Sequence, residues 1–407
     1  MKILFLSELF HPNGGGAELA TYLYAKLLSE AGSDVVVVTN KFGGEPEFSK
    51  NGNLTIYRLP LFKKNGSVKY SIFMRFNVLF SKFMRKMVKW ADVVYIARFW
   101  YSAIPFAKAL KTPVITQLHD YFPICPLSNI YNVSKYTTCD HKGLLCSPRC
   151  IYAYEKIHGR GFTETLTSMA LNSTLGAFFG KFVKFSDAII CVSKFQRRMI
   201  VEREPSLREK TCVIYNPLPK ISHIEMEGDD FAYFGGPDYL KGFHTLYKAL
   251  MHLNRARVNR KATRIHATKF PNSFGRFAKS SRKLGISLYG KLDRVECDKL
   301  YRQVRAVIVP SICHEPWPYV VSEAIARGRF VIASRVGGIP EQVEGCKGAL
   351  LCEPGNSKQL AEAIEFVGSL DREDVAELGF QSKEKFSKRF DNAISIRSFI
   401  SICEDLA

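Results

Sequence analysis

The chain has 407 residues, 46% hydrophobic and 24% charged, with a formal net charge of +20. That length exceeds one ordinary core and predicts two domains of roughly 150–220 residues each, and the composition excludes a disordered or collagen-like chain. No apolar run approaches the roughly 18 residues of a membrane span, while the charge calls for an anionic partner such as nucleotide phosphates, an acidic membrane surface or nucleic acid.

The first strand is Ile3–Leu6, which runs into His11-Pro12-Asn13 and a glycine cluster with no small-residue cleavage site. It reads as a buried strand, not a signal peptide, so the protein is expected in the cytoplasm. The eleven cysteines agree: the number is odd, and several, such as Cys191 and Cys313, lie singly in or beside apolar strands, as buried thiols do in a reducing compartment. Gly14-Gly15-Gly16 then opens a helix over Ala17–Ala31, closed by Gly32. Three glycines let a backbone approach a ligand closely, although a plain flexible loop accounts for them equally.

Further strands are expected at Val35–Thr39, Leu54–Leu59, Val93–Ile96, Val114–Leu118 and Ala188–Val192, rich in Val and Ile and apolar on both faces, as buried parallel strands are. Val68–Trp90 is basic and amphipathic: Lys69, Arg75, Lys82, Arg85, Lys86 and Lys89 interleave with Ile72, Phe73, Phe76, Leu79, Phe80 and Phe83. Phe162–Phe185 is apolar, with Lys181 and Lys184 near its end. Both stretches fit either packed surface helices or peripheral attachment to an anionic membrane. His119-Asp120 follows directly on a strand, at the end where ligands of open α/β sheets bind; a core-edge histidine is the alternative. Cys125, Cys139, His141, Cys146 and Cys150 are soft zinc-type ligands in one long loop, but their spacing lacks the paired CxxC pattern, and a loop of reduced thiols is the simpler reading.

A second series starts after Asn216-Pro217-Leu218-Pro219, with strands at Phe231–Phe234, Arg264–Ala267, Ile286–Tyr289, Ala306–Pro310 and Phe330–Ser334, then a largely helical tail beyond Gly355. The expected class is therefore α/β: two Rossmann-like, doubly wound domains facing a cleft, with C-terminal helices. The expected boundaries are 1–216, 217–385 and a last helix at 386–407 packing back on the N-terminal domain. Asp229-Asp230 reads as a solvated turn in the linker, and no Asp-x-Asp metal pair occurs in a strand-end loop.

The strongest motif is Ser311-Ile312-Cys313-His314-Glu315-Pro316-Trp317-Pro318-Tyr319-Val320-Val321-Ser322-Glu323-Ala324. A buried strand ends at Pro310, a turn with two prolines follows, and a helix starts near Tyr319. A turn folded over that helix start brings Glu315 and Glu323 to one pocket. Paired carboxylates suit sugar and ribose hydroxyls, and the helix start offers backbone N–H groups. The segment resembles the retaining glycosyltransferases of family 4, which have the two-domain GT-B fold and two glutamates separated by seven residues. The resemblance implies that Glu323 contacts the ribose and Glu315 the transferred sugar, with backbone contacts from Pro318, Tyr319 and Val320. It extends to Gly337-Gly338-Ile339-Pro340-Glu341 and to Tyr233-Phe234-Gly235-Gly236 with Lys241-Gly242, similar to the strand and loop that bind the donor diphosphate. Glu341 fits a helix opening as well as it fits a ligand. The chain departs from the family at Gly236, where an arginine usually accompanies the lysine, so charge compensation falls to Lys241, backbone dipoles or another basic residue. In the N-terminal half the resemblance places Gly15 and Gly16 at the donor phosphate and acceptor, and His119 near the transferred sugar.

Breaking the bond to a nucleoside diphosphate builds negative charge on the leaving group. A fixed cation and helix N-termini stabilise that charge, each contact contributing about 3–4 kcal/mol. The reading is a retaining, metal-independent hexosyltransferase that needs no cofactor. Its donor is a nucleoside-diphosphate sugar, and its acceptor is a glycan or a lipid-linked sugar at the inner face of the cell membrane. Retaining enzymes of this type lack a settled protein nucleophile, so His119 is assigned to orientation and electrostatics beside Lys241 and Glu315. A nucleotide-sugar epimerase or glycan phosphorylase on the same fold, and a non-catalytic sugar-nucleotide binder, are the alternatives. Nucleic acid has only the charge in its favour, with no recognition motif.

Overall fold

A computed structural model describes residues 1–62, 76–140, 148–256, 263–271 and 275–406. The chain forms two compact units, Met1–Pro219 together with Phe390–Ala407, and Lys220–Arg389.

The first unit is built on an eight-stranded sheet. Its strands are β1 (Lys2–Leu6), β2 (Asp34–Asn40), β3 (Phe48–Asn51), β4 (Leu54–Leu59), β5 (Val93–Ala97), β6 (Val114–Leu118), β9 (Ala188–Cys191) and β10 (Thr211–Val213), and the hairpin β7 (Tyr131–Asn132) and β8 (Thr137–Thr138) stands apart. The spatial order is β10-β9-β6-β5-β1-β2-β4-β3. All pairings in this sheet are parallel except β3 with β4. Strands such as Val-Val-Val-Val at 35–38 bury both pleat faces because helices cover each side of a parallel sheet. One face packs Leu4, Leu6, Ile96 and Leu118 with Trp100 and Tyr101, and the other packs Ile3, Phe5, Val35 and Tyr95 with the last helix of the chain, Asn392–Leu406.

That last helix is part of the first unit's core. The Phe399 ring lies 5.3 Å from that of Tyr24 and 5.6 Å from that of Tyr95, centroid to centroid. At the helix start the Asn392 amide pairs both ways with the Leu218 backbone, at 2.7 and 2.8 Å.

The second unit has six strands: β11 (Asp230–Tyr233), β12 (Ile265–Ala267), β13 (Ile286–Leu288), β14 (Val304–Val309), β15 (Phe330–Ser334) and β16 (Ala349–Cys352). They are all parallel, in the order β13-β12-β11-β14-β15-β16. Numbered within the unit this is 3-2-1-4-5-6, the doubly wound order, with its topological switch between β11 and β14. The first unit has the same switch between β1 and β5.

Asp229 and Asp230 are not a solvated turn. Asp230 starts β11 and accepts from Arg264 at 2.9 Å and pairs with His266 at 3.0 Å, while Asp229 holds the buried Arg305 at 2.8 Å and Arg372 at 3.0 Å. These basic side chains take both carboxylates. Of the basic amphipathic stretch, residues 68–75 lie outside the described residues. The helix Lys82–Trp90 turns Met84, Met87 and Val88 into the core and leaves Lys82, Arg85, Lys86 and Lys89 exposed. No helix among the described residues is long and apolar enough to cross a membrane.

Candidate functional site

Two loops leave the switch point of the second sheet. The loop after β11 carries Gly235, Gly236 and Lys241, and the loop after β14 carries Ser311 and Glu315. Gly242 decides how closely the loops meet. Its φ is +76°, and a Cβ there would stand 1.8 Å from the carbonyl oxygen of Pro310. Only glycine accepts both that conformation and that contact. The amide of Ile312 donates to the carbonyl of Leu240 at 2.9 Å, fastening loop to loop. Asp238 accepts from the amides of Leu240 and Lys241 at 2.7 and 3.3 Å, and the Tyr233 hydroxyl donates to the Gly236 carbonyl at 2.9 Å.

As a result Lys241 Nζ is ion-paired with Glu315 Oε2, and Ser311 Oγ hydrogen-bonds Glu315 Oε1. Burial lowers the Lys241 pKa, but the Glu315 carboxylate outweighs it and holds the ammonium well above the ordinary lysine range. Glu315 is 9% exposed, and it is braced from behind. The Gly338 amide donates to its carbonyl at 2.9 Å, and a Cβ on Gly337, where φ is +57°, would stand 2.0 Å from that same oxygen. Gly337-Gly338 thus supports the Glu315 turn.

The helix Tyr319–Ala326 starts just beyond, with Pro318 at its N-cap. Gln342, from the helix Ile339–Val343, donates to the Pro318 carbonyl at 3.2 Å and to Ser322 Oγ at 2.7 Å. The helix start, with its Tyr319 and Val320 backbone, is therefore fixed by a side chain from the following turn. Glu341 lies in the first turn of that supporting helix. Glu323 sits one turn into Tyr319–Ala326 and faces Arg327 Nη1 at 3.8 Å. Arg327 itself is buried, bonded to Asp298 at 3.0 Å and stacked 4.3 Å over Tyr301. Burial raises the Glu323 pKa, with Arg327 opposing. Of the residues singled out from sequence, Lys241, Glu315, Glu323, Gly235, Gly236 and the 318–320 backbone thus belong to one strand-end constellation of the second unit.

The first unit holds a second charged constellation that sequence reading only grazed. Gly15 caps the helix Gly16–Glu30, and its amide donates to Glu18 Oε2 at 2.6 Å. Glu18 Oε1 accepts from Arg98 Nη1 at 2.6 Å, and Arg98 Nε stands 3.6 Å from Glu8 and 4.0 Å from Asp120. Glu8 follows β1, Arg98 follows β5 and Asp120 follows β6, so the cluster marks that sheet's own switch point. Glu8 is fully buried, and neither carboxylate oxygen has a hydrogen-bond partner among the described residues. Burial pushes its pKa up to about 8 against the pull of Arg98. Burial raises Glu18 too, but Arg98 and the Gly15 amide hold it below the ordinary range. His119 is pushed down to about 3 by burial and by Arg98, and its Nε2 is buried without a hydrogen-bond partner among the described residues. The imidazole is neutral at physiological pH. Of this cluster only the glycines and His119-Asp120 carried a sequence signal. Glu8 and Arg98 are single residues after apolar strands, with no motif to mark them.

Cys125 and Cys150 are buried and Cys139 is half-buried, and no three His, Cys, Asp or Glu side chains converge as a metal site among the described residues. His141 and Cys146 lie outside the described residues.

Comparison with known proteins agrees with this geometry. The family model described as Glycosyltransferase Family 4 matches residues 14–219, half of the chain, and the one described as Glycosyl transferases group 1 matches residues 228–368. An uncharacterized glycosyltransferase of Methanocaldococcus jannaschii is 29% identical over 239 residues, 58% of this chain and 65% of that protein's length. The structure of a sucrose-phosphate synthase from Thermosynechococcus elongatus superposes with a TM-score of 0.69 at 16% identity, over 100% of this chain and 98% of that one. Anabaena HepE in complex with UDP and glucose gives 0.63 at 18% identity, over 99% of both chains. The architecture is that of the GT-B glycosyltransferases, and the chain belongs to glycosyltransferase family 4.

Proposed function

We propose that the protein transfers a hexose-type sugar from a nucleoside-diphosphate sugar to a hydroxyl of a glycan or lipid-linked acceptor, with retention of anomeric configuration and without a metal. The observation that carries this reading is the Lys241–Glu315 pair at the β11/β14 switch point, with Glu323 on the adjoining helix. Open α/β sheets bind ligands at that point. The Anabaena relative of the same fold is a UDP complex, which supports a nucleotide-sugar donor.

In this reading Glu323 accepts the ribose hydroxyls, and Glu315 orients the sugar. Lys241 and the N-terminus of the helix Tyr319–Ala326 face the diphosphate, beside the Gly235-Gly236 backbone. The bond from the anomeric carbon to the diphosphate oxygen breaks, and the acceptor oxygen bonds to that carbon on the same face. The acceptor proton passes to a diphosphate oxygen. The protein's part is to hold these groups in place and to stabilise the charge that grows on the diphosphate. His119, being neutral, offers a hydrogen bond rather than a positive charge. Gly15 and Gly16 form the close-approach turn of the first unit, where one amide already serves Glu18.

The test is nucleotide release from a panel of UDP-, GDP- and ADP-sugars, with and without lipid extract. Release that rises with an acceptor supports transfer, and no release from folded protein with any donor sinks it. Phosphate-dependent breakdown of a glycan by protein carrying bound pyridoxal would instead favour a phosphorylase.

A second reading concerns location. Phe162, Leu166, Phe178 and Phe185 are 68%, 48%, 54% and 56% exposed on the first unit, and Phe178 and Phe185 flank Lys181 and Lys184 along the chain. Exposed aromatics beside lysines are what an anionic membrane surface recruits. We read them as a peripheral contact that brings the enzyme to a lipid-linked acceptor on the cytoplasmic face.

A further inference from the structure

The charges at the donor site nearly cancel before any donor binds. Lys241 is spent on Glu315, and Arg327 is shared between Glu323 and Asp298. A diphosphate brings further negative charge, and more grows on it as the sugar leaves. A further cation of the second unit, with no ion-pair partner among the described residues, lies against the loop that carries Gly236: Lys269.

Lys269 follows β12, the strand next to β11. Its backbone is fixed on both sides. The Thr268 amide donates to the Tyr233 carbonyl at 3.0 Å, and the Lys269 amide donates to the Gly290 carbonyl at 2.9 Å. Its φ is +66°, a left-handed turn that ends the strand and redirects the chain. The turn lies against Gly236. A Cβ on Gly236 would stand 3.1 Å from the Lys269 carbonyl oxygen and 3.4 Å from Lys269 Cβ, at a φ of +67° that itself favours glycine. The stem of Lys269 therefore occupies the space into which a side chain at position 236 would grow. Lys269 as a residue is exposed, yet partial desolvation by the surrounding loops and the Lys241 charge hold its pKa below the ordinary lysine range, with Glu323 opposing. A lysine beside the loop that leads to Lys241 adds positive charge on the side where an anion would be held.

We propose that Lys269 is a donor-binding residue that gives the diphosphate the second positive charge Lys241 cannot supply while it holds Glu315. This rests on the second unit being a nucleotide-sugar site. It also accounts for glycine at 236: the cation comes from the neighbouring strand, so none is needed from the β11 loop.

Calorimetric titration of the full chain with UDP, GDP and ADP, and with the matching nucleosides, tests this. Lys269→Ala is expected to weaken the preferred nucleoside diphosphate by about ten- to a hundredfold, the range for a charge-assisted contact. The matching nucleoside should bind as to wild type, Lys269→Arg should regain most of the loss, and the loss should shrink as salt rises. Unchanged diphosphate affinity in Lys269→Ala overturns the proposal. So does an equal loss for nucleoside and diphosphate, which would mark a structural role. If wild-type protein binds none of the nucleotides, the donor-site reading itself fails, and Lys269 with it.

Discussion

Single residues here are tuned by what surrounds them more than by what they are. Glu8 and Glu18 are both acids beside Arg98, yet Glu8 is pushed up to about 8 and Glu18 is held down. Burial raises both and is complete only for Glu8, while Glu18 is drawn down by Arg98 and by the Gly15 amide, from neither of which Glu8 accepts a hydrogen bond. Arg98, Glu18, Asp120 and Tyr101 face Glu8. Between about pH 4.5 and 8 folded Glu8 keeps a proton that the unfolded chain has lost, so its contribution to stability falls as pH rises through that window. Denaturant titrations of wild type and Glu8→Gln at several pH values check this. The stability of wild type relative to the variant should decline steadily from pH 5 to pH 8, and parallel curves would contradict it. His119 acts in the opposite sense, its stability being lost as pH falls from 6.5 toward 3, which is why the comparison uses the Glu8 variant. At this scale the sequence was readable only where chemistry comes in runs. Glu315 and Glu323 sit in one contiguous motif with a strand before it and a helix after it. Glu8, Arg98 and Lys269 come from separate strand ends that only the sheet order brings near their partners.

Elements position the proposed donor site largely through close glycine contacts. Gly242→Ala puts a methyl group against the Pro310 carbonyl and forces a left-handed φ on a residue with a Cβ. We expect it to cost about 1–3 kcal/mol in urea melts and to weaken nucleotide binding, because the Lys241 loop must move away from Glu315. Gly43→Ala, at a glycine with no atom within 4 Å of the added carbon and no left-handed φ, is the control and should stay within about 0.5 kcal/mol. Equal stability and binding in the two variants would refute the loop account. The buried strands were legible because parallel strands covered on both faces are runs of Val and Ile, as at β2, β5 and β15. The strands that went unseen are short or lie at edges. β3 is the polar Phe-Ser-Lys-Asn, β10 has three residues, and β16 is a half-buried edge. Such segments carry no periodic signal, and the long-range pairing that makes them strands is not local information.

For the molecule as a whole, two doubly wound sheets, each with its switch beside its first strand, follow one another along the chain, and the final helix completes the core of the first. A helical tail is readable from sequence. Its place against Tyr24 and Tyr95 depends on a tertiary contact with no local mark. The charge of +20 was informative only as a class of partner. With Lys82, Arg85, Lys86 and Lys89 exposed, and with exposed phenylalanines on the same unit, the protein should sediment with phosphatidylglycerol vesicles at low ionic strength and be released by salt. Loss of binding in the double variant Phe178→Ser, Phe185→Ser would assign the aromatic face, and wild-type protein that never sediments would remove the membrane reading. The central claim is that the second unit binds and activates a nucleotide sugar through Glu323, Glu315 and Lys241. The most direct test is nucleotide release by wild type and Glu323→Ala, side by side, across UDP-, GDP- and ADP-sugars, with thermal melts of both. The account predicts release from one donor class by wild type and none by Glu323→Ala at an unchanged melting temperature; undiminished release by a folded Glu323→Ala protein would contradict it.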